Sequence, residues 1–153
     1  MNTIQEVAEG SATGRRSVCI LGDNRIVYLA VHSDTKGVYS LFEMTFQPGM
    51  GPPPHIHTRE DESWYVLDGA FDFLIGDKTQ SATPGWFGLG PRGVPHGFTA
   101  VGNRPARVLM VVTPAGFERF FDELAELPCN PTVDFGQFKA LSEKYGMQII
   151  EPQ

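Results

Sequence analysis

Residues Gly49 to Gly69 read GMGPPPHIHTREDESWYVLDG and place His55, His57 and Glu62 within eight positions. In an extended strand successive side chains alternate faces, so His55 and His57 share one face and Ile56 takes the other. The polar run Thr58-Arg59-Glu60-Asp61 suits a turn, and Glu62-Ser63-Trp64-Tyr65-Val66-Leu67 then reads as a second strand, returning Glu62 to the two histidines. A third imidazole, His96, sits in GWFGLGPRGVPHGF, residues 85–98. Three imidazoles and a carboxylate suit one divalent first-row ion such as Fe, Mn, Co, Ni, Cu or Zn. Four protein ligands on an octahedral ion leave open positions, as a catalytic centre requires.

These residues carry a family resemblance. Gly49-x5-His55-x-His57-x4-Glu62-x6-Gly69 is similar to the first motif of the cupin superfamily, and Gly85-x5-Pro91-x-Gly93-x2-His96 to its second. The fifteen residues between Gly69 and Gly85 resemble the shortest inter-motif segments of that family. One position departs: Ala100 stands where the second motif often carries Asn, with Asn103 out of register, which bears on a turn or pocket hydrogen bond and not on the ligands. The resemblance implies a double-stranded β-helix of jelly-roll type, an all-β barrel, with His55, His57, Glu62 and His96 as metal ligands. It spans roughly residues 37–113.

The strand pattern agrees with that architecture. Arg25 to Val31 is strand-like, Ser33 to Gly37 turns the chain, and Tyr39 to Gln47 alternates with period two. Asp68-Gly69 between Glu62–Leu67 and Ala70–Ile75 is a tight hairpin signal. Gln80–Thr83, Trp86–Leu89, His96–Ala100 and Ala106–Thr113 complete a series of short strands that favours a sandwich or barrel. Residues 116–146 change character. Phe117, Phe120, Phe121 and Leu124 form a helical stripe, Asp134 caps a second helix ending at Gly146, and Met147 to Ile150 is extended. This helical tail is expected to pack on the barrel, with a lid over its mouth as the alternative.

Composition fits one domain over residues 1–153. The net charge is −6 with no basic stripe, which argues against nucleic acid or an anionic membrane surface as partner. The first sixteen residues lack the apolar core of a signal peptide, and no run approaches a membrane span, so a cytoplasmic chain is expected. Cys19 and Cys129 form no Cys-x-x-Cys pair; both are expected to be free, Cys19 buried in a strand.

Strand parity assigns the pocket. If Glu62 and His96 point inward, so do Trp64, Val66, Phe98 and Ala100, with Met44, Phe46 and Phe71 or Phe73 adding walls. Met44, Phe46, Trp64, Phe73 and Phe98 are therefore the expected substrate-pocket residues. His32 reads as a solvated strand end, Arg59, Glu60 and Asp61 as a solvated charge cluster, and Trp86 and Arg92 as candidates to meet substrate at the mouth.

The resemblance is closest to small cupins related to quercetin 2,3-dioxygenases and implies a metal-dependent dioxygenase acting on a small enolisable or aromatic compound. Glu62 is the expected catalytic base, its pKa raised by an apolar cavity. The alternatives are a metal-dependent isomerase, epimerase, lyase or cyclase working through an enolate, and a non-catalytic small-molecule-binding cupin. A homodimer is implied by resemblance alone.

Overall fold

The computed structural model describes residues 15–128 and 134–151. Eleven strands and three short helices follow one another in the order β1 (Ser17–Ile20), β2 (Asn24–Ala30), α1 (His32–Thr35), β3 (Ser40–Phe46), β4 (His55–His57), β5 (Asp61–Asp68), β6 (Ala70–Ile75), β7 (Lys78–Ala82), β8 (Phe87–Gly90), β9 (His96–Val101), β10 (Ala106–Thr113), α2 (Glu118–Glu126), α3 (Phe135–Lys144) and β11 (Met147–Ile149). Two antiparallel sheets result, one ordered β1-β2-β3-β10-β5-β8 and the other β11-β4-β9-β6-β7.

Alternation of side chains decides which face of each strand is inside. Along β3, Ser40, Phe42, Met44 and Phe46 are buried and the residues between them are half-buried. Its neighbour β10 buries Ala106, Val108, Met110 and Val112 in matching register, Val108 opposite Met44 and Met110 opposite Phe42. From the facing sheet come Phe71, Phe73, Phe98 and Ala100. Each large apolar side chain taken out of water here stabilises the barrel by about 1.5–3 kcal/mol. The fold is the expected all-β double-stranded β-helix with C-terminal helices.

The Asp68-Gly69 hairpin does not form. Both edges of β5 are already occupied, by β10 on one side and β8 on the other, and β6 pairs with β9 and β7 in the opposite sheet. Gly69 instead carries the chain from sheet to sheet at φ 74°, and a Cβ there would lie 2.7 Å from that of Ala106. Thr58 to Glu60 likewise joins strands of different sheets. Glu62 therefore approaches the histidines across the barrel interior and not as their strand neighbour.

Two smaller expectations also fail. Ser33 to Gly37 is not a simple turn, because His32–Thr35 forms one helical turn with the Val31 N–H donating to the Asp34 carboxylate at 2.9 Å. Cys19 is exposed: on edge strand β1 it faces outward while Ile20 takes the inward position. Cys129 lies outside the described residues. His32 is exposed, as the first residue of α1 rather than a strand end.

The tail is anchored at both ends. Buried Glu118, at the start of α2, accepts from Ser40 Oγ at 2.7 Å, the His32 N–H at 2.8 Å and the Gly116 N–H at 3.1 Å. Asp134 caps α3 by accepting from the Gln137 N–H at 2.9 Å. After Gly146, β11 pairs with β4, setting Met147 opposite His57 and Ile149 opposite His55. No helix among the described residues is long and apolar enough to cross a membrane.

Candidate metal centre

His55, His57, Glu62 and His96 converge inside the barrel, all four buried, with one ligand atom of each within 4.8 Å of the others. His55 and His57 share the inner face of β4, and His96 lies opposite His55 in the β4–β9 pair. Glu62 enters from β5 in the facing sheet. The Gly51-to-Pro54 loop packs directly on β9, since a Cβ on Gly97 would lie 3.1–3.2 Å from Pro52, Pro53 and Pro54 backbone atoms.

The hydrogen bonds orient every ring. His55 Nδ1 lies 2.8 Å from Pro53 O and His96 Nδ1 3.0 Å from Val94 O. A carbonyl has no proton to offer, so each ring donates through Nδ1 and turns its Nε2 inward. His57 Nδ1 meets the Glu60 carboxylate at 3.2 Å. The inward atoms then crowd: His55 Nε2 and His57 Nε2 are 3.1 Å apart, His57 Nε2 and Glu62 Oε1 3.1 Å, and His96 Nε2 and Glu62 Oε2 3.0 Å.

Such a set of acceptors holds together only with positive charge among them. A proton supplies part of it. Burial opposes charge on His57, but Glu62 and Glu60 outweigh it and raise its pKa to about 9. His55 goes the other way, pushed down to about 4 chiefly by burial. For Glu62 the expected rise is reversed: burial opposes its ionisation, yet His57 and His96 hold its carboxyl well below the usual carboxylate range. The same atoms also suit a divalent ion: neighbouring donors on an octahedral ion bound at about 2.1 Å stand about 3.0 Å apart, comparable to the three close separations.

A cavity opens beside the cluster. Of the residues expected to form a substrate pocket, Met44, Phe46 and Phe98 line this cavity and Trp64 and Phe73 do not. Trp64 packs under His96, with ring centroids 5.0 Å apart, and against Phe73, which in turn stacks on Trp86 at 4.5 Å. Parity placed these two inside correctly, but the barrel interior is deeper than the cavity. Trp86 is likewise absent from the lining. Arg92 pairs with Asp61 through its backbone N–H at 2.8 Å, Nε at 3.2 Å and a terminal nitrogen at 3.1 Å, tying the loop before His96 to the turn before Glu62.

Part of the wall comes from the tail. Phe117, Phe120, Phe121 and Leu124 from the start and body of α2, with Phe138 of α3, line the cavity together with barrel residues. Phe117 reaches the cluster itself, its ring centroid 5.0 Å from that of His57. The helical stripe was readable in sequence, with packing on the barrel as its expected role and a lid over the mouth as the alternative; its aromatic residues line the cavity. Glu60 was missed as well, because a carboxylate three residues after a histidine, inside a polar turn, reads equally as a solvated charge.

Residues 42–112 match the cupin domain family model. A search of curated protein sequences gives no match. Among solved structures, KdgF from Halomonas sp. is similar at TM-score 0.64 and 19% identity over 71% of this chain and 96% of that one. An RmlC-like cupin from Shewanella frigidimarina has TM-score 0.64 and 18% identity over 75% and 97%. These two likenesses bear on the fold alone. The polyketide cyclase RemF from Streptomyces resistomycificus reaches 25% identity at TM-score 0.60 over 70% and 79%.

Proposed function

We propose that this chain, whose residues 42–112 match the cupin domain family model, is a metal-dependent dioxygenase acting on a small, uncharged enolisable or aromatic compound. One observation carries the substrate class. Among the described residues lining the cavity there is no lysine or arginine, and its ionisable groups are His55, His57 and Glu62 of the cluster itself. Away from the cluster the chamber offers no cationic side chain, so a charged group on the distal part of a substrate, such as that of a sugar acid or a phosphate ester, would be buried unpaired at a cost of several kcal/mol. A neutral hydroxyketone or flavonol-like ring enters against Phe46, Phe98 and Phe120 and develops charge only at the cluster.

A divalent ion held by His55, His57, Glu62 and His96 supplies Lewis-acid stabilisation of enolate charge and, if redox-active, electrons for dioxygen chemistry. The chain's own residues do the rest. Glu62, the carboxylate among the lining residues, would accept the proton of an acidic substrate hydroxyl. Phe117 and Phe120 exclude water from that side of the cluster and orient a flat ring.

Cyclisation without oxygen is a second reading, favoured by the identity shared with RemF. Oxygen uptake by metal-reconstituted protein, measured with flavonols and β-diketones beside Glu62→Gln, separates the two. Substrate-dependent uptake that Glu62→Gln abolishes supports the dioxygenase. Equal turnover under nitrogen transfers the assignment to the cyclase reading. A reconstituted protein that turns over nothing in the panel, aerobically or not, overturns the enzymatic reading of the uncharged pocket.

A further inference from the structure

Each imidazole of the cluster has a second nitrogen whose partner decides how the ring is presented. For His55 and His96 that partner is a backbone carbonyl two residues upstream, which local chain geometry provides. His57 differs. Its Nδ1 faces a side chain, the Glu60 carboxylate, at 3.2 Å. Glu60 sits in the turn between β4 and β5 with only 13% of its side chain exposed, so it is not the solvated charge its sequence surroundings suggest.

The turn that carries it is braced on two sides. Thr58 donates to the Gly146 carbonyl through its N–H at 2.9 Å and its hydroxyl at 2.8 Å, and Asp61 accepts from Arg92. On the strand before it, the His57 carbonyl accepts from the Gly93 N–H at 2.8 Å. Backbone on both sides of Glu60 is thereby held, and the carboxylate is delivered to one ring nitrogen.

We infer that Glu60 is a positioning residue for the metal centre: it accepts the Nδ1 proton of His57 and so fixes that ring with Nε2 directed at the ion. This rests on the reading that the cluster holds a metal, and not on the substrate or the reaction. A carboxylate holds a ring N–H more firmly than a carbonyl does and makes the opposite nitrogen a better donor.

Zinc is the probe for the test, with affinities measured on the full chain by competition with a chromophoric chelator. Glu60→Ala should bind zinc about 10- to 100-fold more weakly than wild type. Glu60→Gln, whose amide oxygen accepts the same N–H, should regain most of that loss. In ¹⁵N spectra of the zinc-loaded proteins, the His57 Nδ1 proton should exchange slowly in wild type and Glu60→Gln and rapidly in Glu60→Ala. Because the spectra report on one ring, they remain decisive even if Glu60→Ala lowers the melting temperature. Wild-type affinity or an undisturbed Nδ1 proton in Glu60→Ala overturns the inference and leaves the centre standing. A Glu60→Gln as weak as Glu60→Ala also overturns it, assigning the effect to charge instead of the hydrogen bond. A wild-type chain that takes up no zinc fails at the centre itself and removes the inference with it.

Discussion

Glu62 Oε2 lies 3.0 Å from His96 Nε2, although the two residues stand 34 positions apart and belong to opposite sheets. The contact closes the barrel interior around the cluster, and it brings together two groups that both accept hydrogen bonds. What sits between them governs how the protein behaves.

Removing one donor should empty the centre. Wild type is expected to hold roughly one equivalent of a transition metal per chain. His57→Ala should lose most of it, since it removes both an inward nitrogen and the partner of Glu60. Elemental analysis of the two purified proteins checks this, and full metal content in the variant would defeat the ligand assignment.

Metal uptake should release a proton. His57, raised to about 9, is protonated at neutral pH, and Glu62 is ionised. An ion must displace the His57 proton, so affinity should fall about tenfold per pH unit as pH drops below 9. His55, lowered to about 4, is already neutral there and adds nothing to the slope. Chelator competition at three pH values between 6.5 and 8.5, beside proton counting with an indicator dye, measures it; a flat profile would contradict the paired His57–Glu62 state.

The tail's anchor should have a pH signature of its own. Hydrogen bonds from Ser40, His32 and Gly116 help offset burial and hold the Glu118 carboxyl below its ordinary value. A carboxylate depressed on folding contributes stability that is present above its unfolded pKa and lost as pH falls through the folded one. Glu118→Gln should therefore cost about 1–3 kcal/mol at pH 7, with the difference in melting temperature shrinking towards pH 3. An equal deficit at both pH values would assign the loss to packing alone.

The crossover at Gly69 should tolerate no side chain. Gly69→Ala combines a positive φ with a 2.7 Å approach to Ala106 and should cost about 2–4 kcal/mol. Gly22→Ala is the control, because Gly22 also has a positive φ of 92° but nothing lies within 4 Å of its would-be Cβ. Denaturant midpoints of the two variants report the difference; equal losses would show that backbone strain, and not the close passage against β10, governs position 69.

Much of the candidate centre was legible in the chain because its donors follow local rules. The two-residue spacing of His55 and His57 puts both on one face, and the parity of β5 and β9 turns Glu62 and His96 inward with their neighbours. Glu60 was not legible. In a run of Thr, Arg, Glu, Asp and Glu, composition says solvent, and only the direction of the turn distinguishes the carboxylate that reaches a ring nitrogen. Trp64 and Phe73 mark a related limit: alternation separates inside from outside, but not the packed floor of a barrel from its open end.

The sequence by itself determined which residues of the central strands face inward, where most strands lie to within a residue or two, and that three imidazoles and a carboxylate share an interior, because side-chain direction repeats over two or three to four residues. Only the tertiary structure decided that β5 and β6 part into different sheets, that Phe117 and Phe120 wall the cavity, and that Glu60 backs His57. Those outcomes depend on which distant segments compete for the same strand edge and the same apolar face, and that competition is settled by closing the barrel, not by any local pattern.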